Sequence, residues 1–151
     1  MHDAPPVLLD AALRFADPGT GCAVVVEQCA KACYAYLHDP QGRICADAWL
    51  WNVLAAPAEP EWHDRSDKAA WLSRTPFLNP RHLVRDDVAL PPLIRAGQLR
   101  VTWSAGPGGA CASILLDGRL VGRLRPNETP GAALLARADG PLARRLDPGP
   151  A

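Results

Sequence analysis

Asp47, Trp49 and Trp51 are the residues of this chain best suited to bind or transform a ligand. A carboxylate on an apolar strand face would have a raised pKa because burial disfavours its charged form, so Asp47 is a candidate acid or ligand anchor. The two tryptophans could line a cleft or a partner-binding patch, since tryptophan is enriched at interaction hot spots. The simpler alternative is an aspartate held by backbone N–H groups or an arginine, with the tryptophans packed in the core.

Trp103 and a group of arginines are further candidates for contacts with a ligand or a partner. Residues 98–104 alternate apolar and polar side chains, which predicts a strand with one wet face and with Trp103 on the other. Guanidinium groups bind anions through several hydrogen bonds, and four of them could share a sheet face: Arg100, Arg119, Arg123 and Arg125. Because a solvated strand face is the simpler explanation, we retain only Arg123 as a candidate binding residue.

The sequence carries none of the motifs that would predict a metal, a cofactor or a catalytic nucleophile. The closest set of metal-ligand types has three, four and six intervening residues and no C-x-x-C pair: Cys29, Cys33, His38 and Cys45. Ser104 lacks the glycine two positions earlier that a G-x-S-x-G turn requires, and the glycine-rich stretch 106–109 does not open a helix. We therefore expect no metal, no cofactor, no catalytic residue and five reduced cysteines.

The first candidate site depends on a β-hairpin that we predict over residues 33–53. Residues 39–42 read Asp-Pro-Gln-Gly, which supplies proline at the second turn position and glycine where a positive φ is needed. A simple ladder through this turn places Tyr36 opposite Ala46 and puts Asp47 on the other face of the hairpin.

The segment that leads into this hairpin has two possible structures. Three consecutive valines within residues 22–28 favour a strand. One helix over residues 22–38 is the alternative, because it would place Glu27 four residues before Lys31. We prefer strands, since such a charge pair contributes only about 0.3 kcal/mol.

The second half of the chain predicts another meander of three strands. After its first strand, residues 110–116 and 119–125 flank Asp117-Gly118, a dipeptide that accepts the positive φ angles of a two-residue hairpin. Direct pairing places Ile114 opposite Val121. Caps and apolar spacing predict three short helices, over residues 7–16, 67–74 and 130–138.

Together these elements predict an α+β fold in a single domain over residues 1–151, with loose tails at 1–6 and 147–151. The two meanders would form one antiparallel sheet of about six strands, with the short helices on one face. A small β-barrel with helices is the alternative.

The composition of the chain excludes some classes of partner. Its 16 basic and 16 acidic residues give a net charge of zero, so no overall field attracts nucleic acid or an anionic membrane. The start of the chain lacks the basic residues and the long apolar run of a secretory signal, which favours a cytoplasmic location. The abundance of Ala, Pro, Gly and Arg is typical of GC-rich bacterial genomes.

These features favour a non-catalytic binding module over an enzyme. Its partner would be another protein or a second copy in a homodimer, because the predicted hairpin is apolar on both faces and the short helices cover only one. The alternative is a small-ligand-binding protein or enzyme with a site around Asp47 and the tryptophans. A deep pocket that holds Asp47 would favour the alternative, and a broad apolar patch would favour the binding module.

Overall fold

The computed structural model describes residues 8–61, 77–106 and 108–146, which form two β-sheets. The strands of the first sheet are β1 (Ala11–Ala16), β2 (Ala23–Gln28), β3 (Ala32–His38) and β4 (Ile44–Asn52). Those of the second sheet are β5 (Leu99–Gly106), β6 (Gly109–Leu116), β7 (Arg119–Leu124), β8 (Ala132–Ala133) and β9 (Arg144–Arg145). Neighbouring strands follow chain order and run antiparallel, except that β9 is parallel to β8. Two short 3-10 helices, Arg81–Leu83 and Ala96–Gln98, lie between the sheets in sequence.

The antiparallel pairing is confirmed, but the α+β prediction is wrong. The described residues contain no α-helix, and two sheets of four and five strands replace one sheet of about six with helices on one face. Residues 22–38 form β2 and β3, so the alternative of one long helix is also wrong. No helix in this part of the chain is long and apolar enough to cross a membrane.

Two of the three predicted helices are replaced by extended chain. Residues 7–16 include β1, whose side chains alternate between the core and solvent as those of a strand do. In residues 130–138 most backbone bonds go to distant segments, and Gly131 donates its N–H to Asp47 O. Non-local pairing therefore overrides the local helical pattern. The third predicted helix, over residues 67–74, lies outside the described residues.

The predicted central hairpin is confirmed, but its register differs from the simple ladder. β3 and β4 shift by one residue between Leu37 and His38, so Tyr36 lies opposite Asp47 rather than Ala46. Side chains that lie directly opposite each other share a face of the sheet. Asp47 therefore shares its face with Tyr36 and points away from the core between the sheets.

The turn at Asp117-Gly118 is confirmed as well. Asp117 and Gly118 have φ angles of 48° and 84°, as a type I′ turn requires. β6 and β7 shift register beyond this turn, so Ile114 lies opposite Gly122. The expected pairing of Ile114 with Val121 is wrong, and both side chains are buried in the core.

The two sheets face each other across one apolar core. The first sheet contributes mostly small and branched side chains: Val24, Val26, Ala35, Leu37, Ala46, Ala48 and Leu50. The second sheet contributes Ala112, Ile114, Leu116, Val121 and Leu124. On the outer face of the first sheet, a second cluster packs Trp49 against Ala133, Ala136 and Ala143. Both faces of β4 are therefore covered.

The outer edge of β4 bonds to chain that follows β7. Three backbone hydrogen bonds make this connection: Asn127 N to Cys45 O at 2.8 Å, Gly131 N to Asp47 O at 2.6 Å, and Trp49 N to Leu142 O at 3.0 Å. These bonds close one side of the two-sheet structure. β1 is the edge strand of the first sheet opposite β4, and β5 is an edge strand of the second sheet.

Gly122→Ala should lower the free energy of unfolding by about 1–3 kcal/mol, because overpacking a core forces neighbouring side chains to move. A Cβ at this position would lie 2.6 Å from Leu50 Cδ2, where the two sheets meet. Urea unfolding measures the change. The matched control is Gly97→Ala, since a Cβ there has no neighbour within 4 Å. Equal stability of the two variants would contradict the packing at Gly122.

Candidate functional site

The five candidate residues predicted from the sequence do not converge on one site. Asp47 and Trp49 lie on the outer face of the first sheet, whereas Trp51 packs with the core between the sheets. Trp103 lies on the edge strand β5. Arg123 lies opposite Ser113 on the outer face of the second sheet.

Asp47 is half-buried, and this burial raises the pKa of its carboxyl group. The neighbouring Tyr36 has a pKa raised to about 12, first by its own burial and then by the nearby Glu27 and Asp47 carboxylates. The cavities that Trp51 and Trp103 line do not include Asp47. Its raised pKa thus comes from partial burial on a sheet face, away from the cavities beside Trp51 and Trp103.

Trp49 serves as a structural anchor. Its indole is fully buried, and its Nε1 donates a 2.8 Å hydrogen bond to Asn52 Oδ1. The same Asn52 oxygen accepts the backbone N–H of Asn79, and Asn52 Nδ2 donates to Asn79 O, both at 2.9 Å. Asn52 therefore ties the chain that follows residue 77 to β4.

Trp51 belongs to a buried polar network around Gln28. Trp51 Nε1 donates to Gln28 Oε1 at 2.8 Å, while Gln28 Nε2 donates to Leu9 O at 2.8 Å and to Leu93 O at 3.0 Å. A cavity of about 230 Å³ opens beside this network. Because the side-chain donors of Gln28 and Trp51 are already used, the cavity is poorly equipped to anchor a polar ligand.

The arginine group does not form an anion site either. Arg100 lies on β5 and Arg123 on β7, so β6 separates them. Arg119 sits at the end of the β6–β7 hairpin opposite Leu116, and Arg125 follows β7. Arg100, Arg119 and Arg125 are exposed, as expected for a solvated sheet face.

Trp103 lies on β5, which together with β1 forms a second candidate feature, a pair of edge strands. At their starts, Leu9 donates its N–H to Leu93 O at 2.9 Å, so the chain that enters β1 touches the chain that leads into β5. At their far ends, Asp17 and Thr20 line a cavity of about 380 Å³ together with Trp103 and the end of β5. These two links, one near the starts of the strands and one near their ends, indicate that β1 and β5 run in the same direction along one side of the structure.

β1 and β5 nevertheless form no ladder with each other. No backbone hydrogen bond links them within residues 8–61, 77–106 and 108–146. Asp117 N donates to Gln98 O, and antiparallel hydrogen-bonded pairs recur at every second residue. The even-numbered residues of β5 therefore bond to β6, and Val101, Trp103 and Ala105 direct their backbone groups towards the free side.

The same argument applies to β1. Asp17 N donates to Cys22 O, so the odd-numbered residues of β1 bond to β2. Ala12, Arg14 and Ala16 direct their N–H and C=O groups away from the sheet. We call the region formed by β1 and β5 the open edge.

Apolar side chains line the open edge. Leu13 and Phe15 on β1, with Val101 and Trp103 on β5, pack against the core but are only partly buried. A row of unpaired backbone groups beside apolar side chains is the arrangement that accepts a further β-strand. The period-2 pattern of residues 98–104 indicated the strand, but the strand order that leaves it at an edge is not visible in a local pattern.

The described residues include no group of three or more His, Cys, Asp or Glu side chains that could hold a metal ion. All five cysteines have free thiols. The chain matches no protein-family model, no curated protein and no solved structure.

Asp47→Asn should raise the free energy of unfolding at pH 7 and leave it nearly unchanged at pH 2.5. Burial raises the pKa of Asp47 above its ordinary value of 3.8, so its negative charge opposes folding once the pH exceeds the pKa of the folded protein. Below the unfolded pKa both states are protonated, and asparagine resembles the neutral acid. Urea unfolding at the two pH values tests this.

Asp39→Asn is the matched contrast, and it should act in the opposite direction. The Arg43 and Gln41 backbone N–H groups donate to the Asp39 carboxylate, which lowers its pKa. Its stabilising effect is present at neutral pH and is lost as the pH falls through the folded pKa. If Asp47→Asn also destabilises the protein at pH 7, the raised pKa of Asp47 is contradicted.

Proposed function

We propose that this protein is a non-catalytic interaction module that binds an extended segment of another protein, or of a second copy of itself, along the open edge. The single observation that carries the proposal is that the edge strands β1 and β5, linked near their starts by the hydrogen bond from Leu9 to Leu93, form no ladder with each other. Main-chain hydrogen bonds to such an edge provide affinity, and alternate side chains provide specificity.

The regularity of both edge strands supports this function. Proteins usually protect sheet edges with charged side chains, especially lysine, or with prolines, bulges or very short strands. β1 has six residues and β5 has eight, each carries one arginine but no lysine or proline, and neither ladder shows a register shift. The edge at β4, by contrast, bonds to residues 127–142 at Cys45, Asp47 and Trp49.

The alternative function, a ligand site or enzyme around Asp47 and the tryptophans, has less support. Trp49 is committed to a packing cluster and Trp51 to Gln28, and neither indole N–H is left for a ligand. The self-association inferred from the sequence fits the same edge, because two copies can pair their β5 strands about a twofold axis.

Ala105→Pro should reduce partner binding by about tenfold or more while the protein stays folded, because proline lacks an N–H and is tolerated where that N–H faces away from the sheet. Ala105 is exposed, and its N–H points to the free side of β5. Affinity capture from cells, quantified by mass spectrometry, compares this variant with the unmodified protein. Light scattering of both proteins reports self-association.

The matched control is Ala58→Pro, in an exposed loop after β4. Circular dichroism establishes that both variants fold. The proposal requires a captured protein, or a dimer, that is retained by the unmodified chain and by Ala58→Pro but lost with Ala105→Pro. Identical captured proteins and identical masses for all three chains would overturn it.

A further inference from the structure

We infer that the open edge accepts a strand of alternating apolar and acidic residues from a different protein, running antiparallel to β5. This inference rests on the proposed function and gives its partner a direction and a chemistry. Three features of the edge carry it: the shared direction of β1 and β5, the apolar side chains along it, and two exposed arginines.

The direction follows from how the two strands are placed. Leu9 and Leu93 join the starts of β1 and β5, and Asp17 and Trp103 share a cavity near their ends. Because β1 and β5 run in the same direction, a strand added antiparallel to β5 is antiparallel to β1 as well. Antiparallel pairing is the more stable arrangement per residue. The N-terminus of the added strand then lies near Gly106.

Alternate side chains of the added strand meet an apolar surface. Those that point inwards lie beside Leu13 and Phe15 on one side and Val101 and Trp103 on the other, all of which are partly exposed. Every second residue of the partner should therefore be apolar, because covering these side chains removes apolar surface from water.

The outward positions meet two positive charges. Arg14 on β1 and Arg100 on β5 are exposed, and neither takes part in an ion pair within the described part of the chain. Glu27 is the acidic residue on the neighbouring strand β2, where it lies opposite Ala12 rather than Arg14. Carboxylates at the outward positions of the partner would pair with the two arginines.

The acidic residues near the ends of β1 do not cancel this charge. Asp17 holds its own turn, since its carboxylate accepts from Gly19 N–H at 3.2 Å and from Thr20 Oγ1 at 2.7 Å. Asp10 precedes the strand, at the end that meets Leu93 through Leu9. Within the described residues, neither Asp10 nor Asp17 forms an ion pair with Arg14 or Arg100.

A second copy of this chain fits the edge less well than a foreign strand. β1 and β5 contain no acidic residue, so the edge strands of a second copy offer no carboxylate to Arg14 or Arg100.

A labelled nine-residue synthetic peptide with alternating valine and glutamate is the probe. Measured by fluorescence anisotropy, it should bind the unmodified protein about tenfold more tightly than the matched peptides in which glutamine or lysine replaces glutamate. The double variant Arg14→Glu and Arg100→Glu should reverse this order and favour the lysine peptide. The control, Arg81→Glu with Arg137→Glu, changes net charge equally but lies away from the edge and should keep the original order.

The direction is tested with a nitroxide label at the N-terminus of the glutamate peptide. In nuclear magnetic resonance spectra, it should broaden the amide signal of Ala105 more than that of Leu99, and the reverse pattern would overturn the antiparallel orientation. If all three peptides bind equally well and Ala105→Pro blocks their binding, the charge inference is overturned and the proposed function stands. Binding that is insensitive to both Ala105→Pro and the edge charge reversal would overturn both.

Discussion

The backbone hydrogen bonds on the outer edge of β4 are the constraint on which the rest of the structure depends. β4 pairs with β3 on one side and with residues 127–142 on the other, so its backbone groups are used on both sides. Buried backbone groups must be paired, because an unpaired one costs as much as a lost hydrogen bond. By attaching the second half of the chain to the first sheet at β4, these bonds leave β1 and β5 unpaired on their free sides.

This attachment requires small residues where the sheets meet. Ala46 and Ala48 on β4 face the core, and Gly122 on β7 and Gly131, just before β8, come close to the same strand. Larger side chains at these positions would push the sheets apart and lengthen the hydrogen bonds at the β4 edge. The high alanine and glycine content, which at first suggested only a genomic bias, therefore has a structural role at these positions.

The features that could be predicted from the sequence are those that depend on neighbouring residues. The turns at 39–42 and at Asp117-Gly118 are encoded by four and two residues, and both were predicted correctly. The helices over 7–16 and 130–138 were wrong because their backbone groups find partners in distant strands, which no local pattern reveals.

The prediction of the candidate site was limited in the same way, because it also depends on contacts between distant residues. A single register shift beside Leu37 moved Asp47 to the face opposite the one expected, and one residue is enough because side chains alternate with a period of two. Trp103 was identified as a strand residue. Its position at an unpaired edge depends on the strand order, which a local pattern does not show. Phe15 and Arg14 were not identified as edge residues, because a helix was predicted where β1 forms.

The distance in sequence between β4 and its second partner also has a consequence for synthesis. β1 to β4 can form as local hairpins as soon as they leave the ribosome, whereas residues 127–142 emerge only after β5 to β7 have been made. During that interval both edges of the first sheet are unpaired, and exposed edges are the sites at which nascent β-proteins aggregate. The late segment thus completes the fold by covering the β4 edge, which leaves β1 as the unpaired edge of the first sheet.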